Sequence, residues 1–195
     1  MSIATILSSA QLPTRFGSFR LHAFDGLCDS REHVAIVKGE ISGQANVLTR
    51  VHSECLTGDA LGSLRCDCRD QLIMSLEAIE KAGSGVVVYL RQEGRGIGLR
   101  NKIKAYALQD QGLDTLEADH QLGFSGDERS YTVAAEILQT LQITSVRLLT
   151  NNPAKISALA DLGVVVTERV PIVTLSNPYN LKYLQTKQQK AGHLF

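Results

Sequence analysis

Three of the four cysteines crowd between positions 55 and 68, as Cys55, Cys66 and Cys68. Sulfur donors so close in sequence suit zinc, and three protein ligands leave a coordination position for water or substrate where a closed structural site takes four. A catalytic zinc is therefore the first expectation. Two other readings stand beside it: a structural zinc completed by His52 or the more distant Cys28, and three reduced surface thiols. The run RVHSECLTGDALGSLRCDCRDQL adds Arg50, His52, Glu54, Asp59, Arg65, Asp67 and Asp70 around the thiols. Zinc-bound water ionises near neutral pH, so hydrolysis is the chemistry this set suggests, with neighbouring carboxylates moving protons. Taken singly, each charge reads better as part of a solvated face.

A second cluster, Gln92-Glu93-Gly94-Arg95-Gly96-Ile97-Gly98, follows the apolar run VVVYL. Glycines at a strand-to-helix junction let the backbone approach phosphate oxygens, the free amides of the helix start donate to them, and Arg95 adds a planar fork. The spacing is neither the Walker loop nor the dinucleotide fingerprint, and a plain tight turn explains the glycines as well. GFSGDERSY brings Asp127, Glu128 and Arg129, and LLTNNPAK brings Thr150 and Lys155, where α/β proteins place ligand groups beyond strand ends. The structural alternatives are a helix N-cap for Asp127 and an exposed helix charge for Lys155.

These residues need a frame. Short β-rich runs, Phe19–Phe24, His33–Lys38 and Asn46–His52, alternate with Gly, Asp and Ser. Residues Asp70–Ala82 carry Leu72, Ile73, Leu76 and Ile79 at helical spacing, with Gly83 and Gly85 as a stop. Val86–Leu90 reads as a strand covered on both faces. The glycine loop then becomes a helix, with Ile103, Ala107 and Leu108 on its packed side, ending at Gly112. Downstream follow a helix at Tyr131–Leu141, a strand at Ser145–Leu149, a helix at Pro153–Leu162 opened by proline, and a strand at Val164–Val170. The expected architecture is α/β, a single domain of layered α/β/α form with a mixed sheet over residues 1–195. The polar tail from Asn177 has a weak helical pattern; packing on the body and covering a partner subunit's site both remain open.

Composition removes other classes. Hydrophobic residues are 44% and charged residues 21% of 195, within the globular range. Twenty Lys and Arg balance twenty Asp and Glu, which removes the long-range attraction of a general nucleic-acid binder. No apolar run has the length of a membrane span, and no basic residue precedes Arg15, so a cytoplasmic protein is expected.

Taken together, RVHSECLTGDALGSLRCDCRDQL, RQEGRGIGLRNKIKAYALQDQG, DHQLGFSGDERSY, RLLTNNPAK and NPYNLKYLQTK resemble the GTP cyclohydrolase II family, in its motif order and over nearly the whole chain. The resemblance implies zinc on Cys55, Cys66 and Cys68, attack on carbon-8 of guanine with loss of formate, and loss of pyrophosphate from a triphosphate carried with magnesium. It implies a diaminopyrimidinone ribosylamino phosphate as the product and the first committed step of riboflavin synthesis as the reaction. It implies nucleotide contacts at Arg50, Val51, His52, Ser53, Glu54, Gln71, Glu93, Gly94, Arg95, Thr115, Thr150 and Lys155. Asp127 matches the proton acceptor and Arg129 the position proposed to attack the α-phosphate. A guanidinium has no free lone pair at physiological pH, so charge stabilisation is the role open to Arg129. Tyr106 matches the tyrosine that completes hydrolysis to formate. The resemblance implies a homodimer. The stand-alone form is expected, because the dihydroxybutanone phosphate synthase domain often fused to this one does not fit in 195 residues. The loop has Gly96 where relatives often carry asparagine. A nucleotide sensor or RNA-binding module with structural zinc, and a zinc hydrolase that retains the formyl group, are the competing readings.

Overall fold

The computed structural model describes residues 4–125, 127–190 and 192–194. Its frame is one seven-stranded mixed sheet in the order β1-β2-β3-β5-β4-β6-β7. The strands are β1 (Thr5–Thr14), β2 (Gly17–Asp25), β3 (Val34–Lys38), β4 (Val47–Ser53), β5 (Gly85–Leu90), β6 (Val146–Leu149) and β7 (Val166–Val170). From β1 to β5 neighbours run antiparallel, whereas β5, β4, β6 and β7 are mutually parallel. The α/β class and mixed sheet expected from the sequence are thus present.

Alternation along the strands sorts side chains between two layers. On one face Ala35, Val37, Val47, Val51, Val86, Val88 and Leu90 meet Val133, Ala134, Ile137 and Leu138 of α5 (Thr132–Thr140) and Leu159 of α6 (Pro153–Asp161). On the other, Phe19 and Val87 meet Leu76 and Ile79 of α2 (Cys68–Ala82). Val86, Val87 and Val88 are fully buried because β5 lies mid-sheet with helices on both sides. Each such side chain contributes about 1.5–3 kcal/mol. α2 ends where Gly83 turns left-handed at φ 76°.

Two expectations need correction. Strand β1 was not foreseen; it is an edge strand exposed along most of its length, so it lacks the alternation that marks a half-buried strand. Helix α3 (Gly98–Asp110) buries Lys102 and Ala105, while Ile103 is half exposed and Ala107 is exposed. This helix turns a polar face inward because it packs against a polar cavity instead of the apolar core. Two further helices, α4 (Thr115–Gln121) and α7 (Leu181–Lys190), line that cavity with α3, and the short α1 (Leu56–Asp59) follows the lining residue Cys55. The tail packs on its own chain: Lys187 Nζ lies 2.9 Å from Asp67, and Lys190 bonds Asp114.

Candidate active site

The chain leaves β4 at Ser53, β5 at Leu90 and β6 at Leu149, so the C-terminal ends of three adjacent parallel strands open on one side. There they border a cavity of about 450 Å³. The metal, nucleotide and catalytic positions that the family resemblance implies all line it except Val51, whose side chain is in the α5-side core; Asp59, Asp67, Asp70, Glu128 and Cys28, also singled out from the sequence, do not. Val51 contributes through its backbone instead, its carbonyl accepting from Lys155 Nζ at 2.7 Å.

The three candidate metal ligands come together. Their sulfurs lie within 4.8 Å of one another, with Cys55 and Cys66 Sγ 3.6 Å apart. Cys55 stands between β4 and α1, and Cys68 opens α2, its thiol pushed well up by the neighbouring Cys55 and Cys66 and by burial. Gly58 faces the cluster: a Cβ there would lie 2.8 Å from Cys66 Sγ and 3.1 Å from Cys55 Sγ. Hydrogen bonds from the Cys66 and Cys68 thiols, with the nearby Lys102 ammonium, push the Cys55 thiol far down; the Cys66 thiol, donating to Cys55, is pushed up to about 11. One sulfur thus carries charge that the other two share, a donor set that fits a thiophilic cation such as zinc. Among the described residues, neither fourth ligand offered by the structural-zinc reading joins the three thiols. His52 Nε2 is engaged by Asp59 at 3.0 Å, and Cys28 is exposed, its amide bonded to Glu136.

Behind the cluster runs a buried chain of hydrogen bonds. Lys187 Nζ donates to Asp67 Oδ1, Gln71 Nε2 donates to Asp67 Oδ2 at 2.5 Å, and Arg50 donates to Gln71 Oε1 at 2.6 Å and to the Leu149 carbonyl at 2.9 Å. Arg50 Nε and His52 Nδ1 are buried and left without a partner. Burial favours the neutral His52 imidazole, against the pull of Asp59.

The cavity lining as a whole is cationic. Eight Lys and Arg line the cavity against four Asp and Glu, although the chain as a whole is neutral. Lys155 is 4% exposed, so it is no surface charge; burial, then Arg50, Arg129 and Lys187, depress its pKa well below 10.5. Gly94, Arg95 and Gly96 all have left-handed φ (62°, 58° and 94°), and a Cβ on Gly96 would lie 2.7 Å from the Glu128 carbonyl. The loop thereby packs on the Asp127–Arg129 segment, where Glu128 N donates to the Arg95 carbonyl at 3.0 Å. Arg95 itself reaches Asp119 at 3.1 Å.

Asp127 does not cap α5, whose N-cap residue is Tyr131, without a side-chain cap. Its carboxylate instead grips Arg129, whose Nε is 2.7 Å from Asp127 Oδ1. Burial would lower the Arg129 pKa, yet the Asp127 bond raises it, so the guanidinium keeps its proton. Tyr106 OH is 3.2 Å from Thr57 Oγ1, and burial raises the phenol's pKa. Ser53 accepts from Gln92, Glu54 from Arg91, and Thr150 Oγ1 from the Asn152 amide. Thr115 opens α4 beside Asp114. The sequence reading missed Lys102, Asp119, Tyr183, Lys187 and His193, all lining the cavity. Only the basic spacing in KYLQTKQQK marked the tail, and nothing local marks Lys102.

Comparison with known proteins gives the family. The sequence model of the family GTP cyclohydrolase II matches residues 5–171. A GTP cyclohydrolase-2 of Klebsiella pneumoniae subsp. pneumoniae is 55% identical over 188 residues, covering 96% of this chain and 94% of the relative. One from Escherichia coli O9:H4 is also 55% identical, with 96% of each chain covered. A solved structure of a two-domain 3,4-dihydroxy-2-butanone 4-phosphate synthase from A. baumannii matches at TM-score 0.47 and 23% identity over 89% of this chain, which spans 41% of that one. With a family match across the whole sheet and close relatives across nearly all of the length, the chain belongs to the GTP cyclohydrolase II family.

Proposed function

We propose that the protein hydrolyses GTP at carbon-8 of guanine and at the triphosphate, releasing formate and pyrophosphate and leaving a diaminopyrimidinone ribosylamino phosphate, the first committed step of riboflavin synthesis. Zinc on Cys55, Cys66 and Cys68 and magnesium on the triphosphate belong to this reading, as does a cytoplasmic homodimer with neither membrane nor nucleic acid as partner. The observation that carries it is one cavity holding a three-thiol cluster in a lining with an excess of cations. Zinc held there supplies Lewis acidity, which makes a hydrolytic nucleophile available near neutral pH.

The chain's own groups divide the remaining work. Arg50, fixed by Leu149 and Gln71, and His52 each keep a buried nitrogen for a ligand, which suits a heterocycle rich in hydrogen-bonding edges. An unmet buried polar atom costs about 1–3 kcal/mol, so a base that satisfies these nitrogens binds more tightly. Lys155, Arg95 and Thr150 face the triphosphate. Arg129, protonated and aimed by Asp127, stabilises charge on the transferring phosphate, a role that needs no lone pair. Asp127 is the proton acceptor in this scheme, and Tyr106, a phenol that burial keeps protonated, donates to the opening ring.

The test is formate release from GTP with magnesium, run beside a zinc-stripped sample. Zinc-dependent formate is expected. A folded, zinc-loaded protein that releases none, or that stops at a ring-opened formamide, overturns the assignment.

A further inference from the structure

We propose that Lys102, held by Glu93, is a positioning residue of the metal centre, donating a hydrogen bond to the Cys55 sulfur and thereby setting the donor strength of that ligand. The inference rests on the zinc reading above and extends it to residues outside the three thiols.

Lysine is almost never buried without partners, and Lys102 is 8% exposed. Its Nζ lies 3.0 Å from Cys55 Sγ and 2.6 Å from Glu93 Oε1. Glu93 is fully engaged: Oε1 also accepts from the Gly94 amide at 2.8 Å, and Oε2 accepts from the Leu56 amide at 2.6 Å. The same carboxylate therefore fixes the ammonium and the backbone next to Cys55. Gly94 completes the arrangement. A Cβ there would lie 3.2 Å from Lys102 Cβ, so the glycine makes room for the lysine stem. The Glu93-Gly94 pair thus serves the thiol wall through Lys102, whereas the phosphate role of the loop falls to Arg95.

An N–H donor on a coordinating thiolate draws electron density from sulfur. The ligand then gives less to the metal, which stays a stronger Lewis acid. Without the donor, the sulfur lone pairs rise in energy and sulfur-to-metal charge transfer moves to longer wavelength.

Cobalt(II) in place of zinc reads this directly. In Lys102→Met the charge-transfer band should shift to longer wavelength with cobalt still bound, Lys102→Arg should restore it most of the way, and Glu93→Gln should give a smaller shift. On zinc, kcat of Lys102→Met should fall about 10- to 100-fold, the range for groups that orient metal ligands, with KM for GTP little changed. An unshifted band in cobalt-loaded Lys102→Met overturns the proposal. So does a raised KM with intact kcat, which would make Lys102 a substrate contact. If the parent protein itself binds no cobalt, the zinc reading fails first, and the proposal fails with it.

Discussion

Replacing Lys155 by methionine removes one charge and leaves a chain of similar length, so the cost of that charge can be read. Leaving a buried charge without its counter-ion costs about 3–5 kcal/mol. Lys155 faces Arg50, Arg129 and Lys187, whose repulsion outweighs the attraction of Asp127. The bond to the Val51 carbonyl recovers about 1.5–3 kcal/mol, and the Tyr131 ring, 5.5 Å away, about 1. The remainder, about 1 kcal/mol, destabilises the ligand-free protein. Lys155→Met should therefore raise Tm by about 2–4 °C. It should also lose a charge-assisted contact to phosphate worth about 1.5–3 kcal/mol, roughly 10- to 150-fold in GTP affinity. The pH dependence has a definite sign. Because the folded pKa lies below 10.5, the penalty is full below the folded value and fades as pH rises toward 10.5, where the unfolded chain also loses its proton. The stability gap between variant and parent should narrow over that range. Thermal melts with and without GTP, and calorimetric titration with a non-hydrolysed analogue, measure both effects. A variant that melts several degrees lower while binding GTP normally would refute the reasoning.

Gly58→Ala puts a methyl group against Cys66 Sγ and Cys55 Sγ, so zinc content after dialysis should fall; unchanged metal content would mean the helix shifts to make room. Arg95→Gly relieves a non-glycine residue at φ 58° and removes a guanidinium, so Tm should hold or rise while GTP affinity falls more than guanosine affinity. Equal losses for both ligands would remove the phosphate assignment. His193 is depressed to about 3 by burial and by Lys187, Arg129 and Lys155, opposed by Asp67. Its contribution is complete above 6.5, where both states are neutral, and is lost as pH falls toward 3. Hydrogen exchange should therefore show α7 loosening on acidification before the central sheet, and His193→Asn should blunt that response.

Sequence alone placed the strands and helices whose apolar pattern repeats with a fixed period. Leu72, Leu76 and Ile79 marked α2, and VVVYL marked the central strand, because burial on one or two faces of a regular element writes itself into neighbouring positions. The cysteine spacing likewise marked a metal centre, since Cys66 and Cys68 are near neighbours in the chain and Cys55 is close to both. The edge strand β1 and the inward face of α3 left no such pattern. One is exposed on both sides, and the other packs against polar groups.

The electrostatics of the site belong to the tertiary structure. A net charge of zero is a property of composition, but the fold gathers Arg50 from β4, Arg95 and Lys102 from around α3, Arg129 from a loop, Lys155 from α6 and Lys187 from α7 into one cavity. Spacing along a chain determines local geometry over a turn or two of helix. Contacts such as Lys187 with Asp67, or Lys102 with Cys55, join residues far apart in sequence, and they form only when the sheet brings the ends of its parallel strands together.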